Sequence, residues 1–150
     1  MYKKILAPLD GSELSECSLK HIRAIATGCH VPEVILLRVI EPVREIHMLG
    51  EDMRRNVEQG AKASAKDYLS KMADDLKKDG IATNIDVVSG QPAEVILDYA
   101  KKNQVDLIII STHGRSGVSR WALGSVADKI LRHSSVPILA ASPPSCSIGQ

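Results

Sequence analysis

The sequence predicts a single α/β domain in which helices cover both faces of an open parallel sheet, and three observations carry that prediction. Two runs, Val34-Ile35-Leu36-Leu37 and Leu107-Ile108-Ile109-Ile110, are four apolar residues long without a break, the mark of strands buried on both faces. Strand-like runs then alternate with helical periodicities along the chain, five strands against four helices, which is the pattern of crossover units. Right-handed crossovers leave few ways to wind such a chain. The order 3-2-1-4-5 is preferred, because it sets the first and fourth strands side by side at a switch point.

Each element follows from local signals. Ile5-Leu6-Ala7-Pro8-Leu9 is a short apolar strand that ends at Asp10-Gly11-Ser12, a turn and a helix N-cap. Leu14, Ile22 and Ile25 mark one face of the next helix, with Cys17 and Ser18 as small fillers and Gly28 closing it. Val34 to Ile40 is the second strand, and Glu41 to Asp52 reads as a loop with helical turns. Val57, Ala61, Ala65, Tyr68, Met72 and Leu76 recur at three and four residue spacing in a long helix ended by Gly80. Gly60 inside it costs about 1 kcal/mol relative to alanine, so the amino-terminal part is expected to fray.

Asn84 to Val87 alternates polar with apolar and suits a strand nearer the edge. Gly90-Gln91-Pro92 opens a helix with proline at its start, and Ala93, Ile96, Leu97 and Ala100 face the sheet. After the Leu107 strand and a glycine-bearing loop, Val126, Ala127, Ile130 and Leu131 form the inward stripe of the last helix. Val136 to Ala140 is the last strand; Pro137 cannot donate to a ladder, so the strand sits at an edge or pairs only from its later residues. The expected domain is 1–141, with 142–150 a flexible tail that has no periodicity.

Composition bounds the function. A chain of 150 residues buries a sizeable core without staples. A net charge of +1 with no basic block, no Phe, three Tyr and one Trp offers neither the electrostatic footprint nor the stacking platforms of a nucleic-acid binder. The apolar run after the basic Met1 to Lys4 is broken by Pro8 and Asp10, too short for a signal peptide core or a membrane span. Cys17, Cys29 and Cys146 are odd in number and irregularly spaced, supporting neither a disulfide framework nor a zinc site, and the expected setting is cytoplasmic. His21, His30, His47 and His133 are scattered and form no metal constellation.

The chemistry gathers after the fourth strand, in Ile110-Ser111-Thr112-His113-Gly114-Arg115 and again at Gly124-Ser125-Val126. Gly114, Gly117 and Gly124 are expected to let the backbone approach a ligand and take positive φ, and Ser125 to Asp128 fits a capping box. A helix start offers unpaired N–H groups and a partial positive charge, a seat for phosphate. At the end of the first strand, Asp10 reads by itself as a turn former before Gly11, and the strand order makes it a neighbour of Ser111. Val39 reads by itself as core, His113 as a structural hydrogen-bonder and Arg115 as a phosphate partner or a solvated loop residue.

The string Thr112-His113-Gly114-Arg115-Ser116-Gly117 followed by Leu123-Gly124-Ser125-Val126 resembles the universal stress protein family, whose nucleotide-binding members carry G-x2-G-x9-G-[ST] at this point. Gly114 and Gly124 match the second and third glycines, Ser125 supplies the hydroxyl, and Ser111 stands at the first position, which in the family lies against the ribose. The resemblance runs from Lys4 to Ala141. It implies ATP, with or without Mg²⁺ or Mn²⁺, bound at the ends of strands one, two and four. The residues it marks are Pro8, Leu9, Asp10, Val39, Ile110, Ser111, His113, Gly114, Arg115, Gly124, Ser125 and Val126. Asp10 would accept from the adenine amino group or hold the ribose, the Val39 backbone would meet the purine, and His113 would lie beside the phosphates.

No G-x4-G-K-[ST] lysine, paired carboxylates or evident base accompanies the loop, and the first strand is not followed by G-x-G-x-x-G or S-G-G-x-D-S. The expected function is therefore a nucleotide-dependent regulator or adaptor in the stress response, with an unidentified protein partner and homodimerisation through the last strand. The alternatives are a dimeric interaction module of the same family that no longer binds nucleotide, and a weak ATPase.

Overall fold

The computed structural model describes residues 1–42, 48–113 and 123–142. Five strands, β1 (Lys4–Pro8), β2 (Glu33–Ile40), β3 (Thr83–Ser89), β4 (Leu107–Ser111) and β5 (Ile138–Ala141), form one parallel sheet in the order β3-β2-β1-β4-β5. This is the predicted winding. Four α-helices, α1 (Ser18–Gly28), α2 (Glu51–Lys78), α3 (Pro92–Lys102) and α4 (Ser125–His133), provide the crossovers.

The sheet divides the core in two because successive side chains of a strand point to opposite faces. Along β4, Leu107 and Ile109 join Ile5, Leu36, Leu69 and Leu76 on the α1/α2 side. Ile108 and Ile110 join Leu6, Leu37, Ile96 and Ile130 on the α3/α4 side. All five residues of β4 are buried, as a central strand of an unbroken apolar run requires.

The amino ends of the strands are clasped by polar groups. Lys4 Nζ lies 3.1 Å from Glu33, the Asn84 amide donates to the same carboxylate at 2.9 Å, and Asp106 accepts the Lys3 and Lys4 main-chain N–H groups at 2.7 and 3.1 Å. The Lys4 hydrogen bond, ahead of the Asn84 one, holds the Glu33 carboxyl below its usual pKa.

Several expectations are corrected. A 3-10 turn, Ser15–Cys17, precedes α1, whose buried face is Leu19, Ile22 and Ala26, with Leu14 and Ile25 only partly covered. Helix α1 does end at Gly28 as expected, and the left-handed residue that follows is His30 at φ 51°. Helix α2 starts at Glu51, earlier than the periodicity suggested, and its sheet-facing stripe is Ala65, Leu69, Ala73 and Leu76; Val57 and Ala61 are exposed. In α4 Ala127 and Ile130 are buried, whereas Leu131 is exposed. Strand β5 begins at Ile138, after Pro137, and lies at the sheet edge. Cys17 is disulfide-bonded, which its spacing did not suggest, and Cys29 is a free thiol. The expectations for Gly114, Arg115, Gly117 and the tail beyond Ser142 fall outside the described residues. Among the described residues no helix is long and apolar enough to cross a membrane.

Candidate functional site

A crevice opens at the carboxyl ends of β1 and β4, where the crossovers from these two neighbours leave the sheet in opposite directions. Pairing of β1 with β2 runs to Pro8 opposite Leu37, and the Leu9 N–H then donates to the Leu37 carbonyl at 2.9 Å. The peptide groups of alternate residues on a strand turn to the same edge, so Val39 directs its N–H and C=O the way Leu37 does. Ile40 faces the other way, its carbonyl accepting from Gly90. Beyond Leu9 no described residue pairs with the Val39 edge. The strand thus presents a main-chain donor and acceptor at the cleft.

The cleft encloses about 210 Å³. Pro8, Leu9, Leu37, Val39, Ile96 and Ile110 supply its apolar walls, and Asp10, Arg38, Glu41, Ser15 and His113 its polar groups. Ser111, Gly124, Ser125 and Val126 line it from the β4 and α4 side. The fold therefore gathers ten of the twelve residues marked in the sequence into one cavity. Gly114 and Arg115 lie outside the described residues.

Gly11 at φ 84° lets the chain reverse after β1. The turn is held by Asp10, whose Oδ1 accepts both the main-chain N–H and the hydroxyl of Ser12. The Ser12 hydroxyl oxygen accepts in turn from the Ser15 N–H at 3.1 Å, and Glu16 accepts the Tyr68 hydroxyl at 3.0 Å. Burial, ahead of the Glu16 hydrogen bond, pushes the Tyr68 pKa well above its usual value. Turn former and cleft residue are therefore one role for Asp10, since the turn orients the carboxylate.

On the other strand, Ser111 is buried and its hydroxyl accepts from the His113 N–H at 3.3 Å, while Thr112 Oγ1 and His113 Nδ1 are 2.8 Å apart. Gly124 donates its N–H to the Thr112 carbonyl at 2.8 Å. Its φ of −58° requires no glycine, contrary to the expectation of a positive φ. Space is the reason: a Cβ there would stand 3.0 Å from the Thr112 carbonyl oxygen. The capping box is also absent. Gly124 is the N-cap, Ser125 is the first helical residue, and no side chain caps the helix. The first return bond is from Asp128 N–H to the Gly124 carbonyl, so the amides of Ser125, Val126 and Ala127 have no intrahelical acceptor.

Sequence reasoning missed Leu37, Arg38, Glu41, Thr112, Pro92 and Ile96. Pro92 and Ile96 were legible as helix start and core face. Only the crossover from β3 over β2 reveals that the start of α3 roofs the cleft.

These features define a doubly wound α/β protein with a cleft at the switch point. The chain belongs to the universal stress protein family, whose model matches residues 1–142. It is 34% identical to the universal stress protein MJ0577 of Methanocaldococcus jannaschii, over 93% of this chain and 94% of that one. The solved structure of MJ0577 superposes with a TM-score of 0.85 at 35% identity, covering 95% and 96% of the two chains. A universal stress protein solved in complex with cAMP (TM-score 0.67, 20% identity, 94% and 97% coverage) has the same fold. So does an Arabidopsis thaliana family member with AMP bound (TM-score 0.68, 16% identity, 93% and 91% coverage).

Proposed function

We propose that the cleft binds an adenine nucleotide, ATP in the first instance, and that the protein acts as a nucleotide-dependent regulator or adaptor in a stress response. The observation that carries this reading is the uncapped start of α4, where three amides without intrahelical acceptors stand across one cavity from the exposed peptide edge of Val39. A flat purine matches the apolar slot and the paired donor and acceptor of Val39. Asp10 supplies an acceptor for the exocyclic amine or a ribose hydroxyl. A cavity of about 210 Å³ lies below the ~300–1,000 Å³ of whole-ligand pockets. The base and sugar are then enclosed and the phosphates extend to α4 at the mouth.

There the amides of Ser125, Val126 and Ala127, the Ser125 hydroxyl and the helix dipole hold negative charge, each dipole effect worth about 0.3–1 kcal/mol when exposed. Gly114 and Arg115 complete the seat in this reading, and Ser111 lies against the sugar. Among the described residues no group of three His, Cys, Asp or Glu is placed to hold a metal, so Mg²⁺ or Mn²⁺ would ride on the phosphates. Asp10 is engaged with Ser12 and orients rather than activates, which favours holding the nucleotide with at most weak hydrolysis. The cAMP and AMP complexes of fold relatives support the ligand class. A cytoplasmic setting rests on the family; the bonded Cys17 pulls the other way, since disulfides are rare in reducing compartments.

Titration calorimetry of the purified chain with ATP and Mg²⁺ tests the reading. Saturable heat that is lost in Asp10→Ala supports it, and no heat at millimolar nucleotide rejects it in favour of an interaction module without ligand.

A further inference from the structure

Thr112 is held at three points. Its main-chain N–H donates to the Ala141 carbonyl at 2.8 Å, its carbonyl accepts the Gly124 N–H at 2.8 Å, and its hydroxyl lies 2.8 Å from Nδ1 of His113. The residue is buried. The two main-chain bonds fix its backbone between β5 and the start of α4, and branching at Cβ leaves the hydroxyl few positions to take. The next residue has a tether of its own, since the His113 N–H donates to the Ser111 hydroxyl at 3.3 Å.

The side-chain contact can be written in two ways, and burial chooses between them. A neutral imidazole carries one N–H and one bare nitrogen. Were the proton on Nδ1, the Thr112 hydroxyl would accept it, and the hydroxyl's own proton would need a different acceptor. Among the described residues Thr112 Oγ1 has no other hydrogen-bond partner, and a buried donor left without one bears the full cost of its desolvation. The hydroxyl is therefore the donor, Nδ1 accepts, and the ring proton sits on Nε2. His113 is only half-buried and lines the cleft with Gly124, Ser125 and Val126. Its Cα would lie 4.0 Å from a Cβ placed on Gly124. With Nδ1 held by a buried residue, the far side of the ring is the side left for a ligand.

We propose that Thr112 is a positioning residue, which fixes His113 as the Nε2–H tautomer so that the ring presents a donor to a phosphoryl oxygen at the start of α4. This rests on the nucleotide reading of the cleft and adds two things to it. A side-chain donor joins the amides of α4. The cleft side of the neutral ring also keeps no lone pair, so His113 is unable to take a proton from an attacking water. Holding a triphosphate without hydrolysing it then follows from one buried hydroxyl.

Nitrogen NMR of the histidine-labelled full chain, recorded without ligand and with the ring neutral, reads the tautomer directly. His113 is expected in the Nε2–H form. Thr112→Val should move both ring nitrogens toward a mixture of tautomers, and Thr112→Ser should restore the wild-type shifts. Calorimetry with ATP and with adenosine then gives the preference for phosphates. That ratio should fall about tenfold in Thr112→Val, which is about 1.4 kcal/mol, and recover in Thr112→Ser. Adding Thr112→Val to His113→Ala should lower it no further, because the threonine acts through the ring. A wild-type ring in the Nδ1–H form overturns the proposal, and so does a preference for ATP that Thr112→Val and His113→Ala both leave intact. A wild-type chain that shows the Nε2–H ring and binds no ATP rejects the nucleotide reading instead, and the phosphate role falls with it.

Discussion

At Gly124 a side chain would be crowded, because a Cβ would stand 3.0 Å from the Thr112 carbonyl oxygen, a backbone atom that would have to give way. Gly124→Ala is expected to lose about 1–2 kcal/mol, read from the urea midpoint at constant slope, and Gly124→Val more. Both should weaken nucleotide binding further than they weaken folding, since the displaced backbone is the start of α4. Tyr99 carries a different test. Its hydroxyl donates to Asp86 at 2.9 Å, and burial, ahead of that bond, pushes its pKa up to about 12 from an ordinary 10.0. Below pH 10 the folded and unfolded chains both keep the proton and the contribution is intact. Above it the unfolded chain ionises first, so stability drains away until the folded group titrates near 12. Tyr99→Phe should flatten this alkaline limb in denaturation curves recorded on either side of pH 10.

Among the elements, the turn from β3 into α3 depends on a glycine. Gly90 sits at φ 147°, and a Cβ there would stand 2.6 Å from a Val95 methyl group. Gly90→Ala is expected to destabilise by about 1–3 kcal/mol in thermal or urea unfolding, and to loosen the α3 roof over the cleft. Strand identity and order were legible because Val34 to Leu37 and Leu107 to Ile110 leave no polar face for any edge position. Helix limits were less so. The periodic reading took Val57 and Ala61 as core because apolar spacing does not say whether a partner is present, and it started α2 too late for the same reason. At the site, the α4 start was legible from residue types, whereas Asp10 and Ser111 were marked by the family resemblance. The roof from Pro92 and Ile96 was found by neither, since it follows from a crossover that joins residues distant in sequence. Gly124 was marked for the wrong property: a glycine motif does not distinguish a need for φ from a need for space.

For the whole molecule, the outer edge of β5 is unpaired among the described residues, with Ile138 and Leu139 only partly buried. Such an edge invites a second copy, and antiparallel pairing across a two-fold axis is the expected solution. Equilibrium sedimentation should therefore give at least a dimer, and Leu139→Lys should shift it toward monomer without changing the proposed nucleotide binding in calorimetry. The clasp of Lys4, Glu33, Asn84 and Asp106 closes the end of the sheet away from the cleft. Five residues of β1 at about 3.3 Å each separate the two. An anchoring handle fused ahead of Met1 would consequently leave the mouth facing the buffer, which makes the amino terminus the place to tether this chain to a sensor surface.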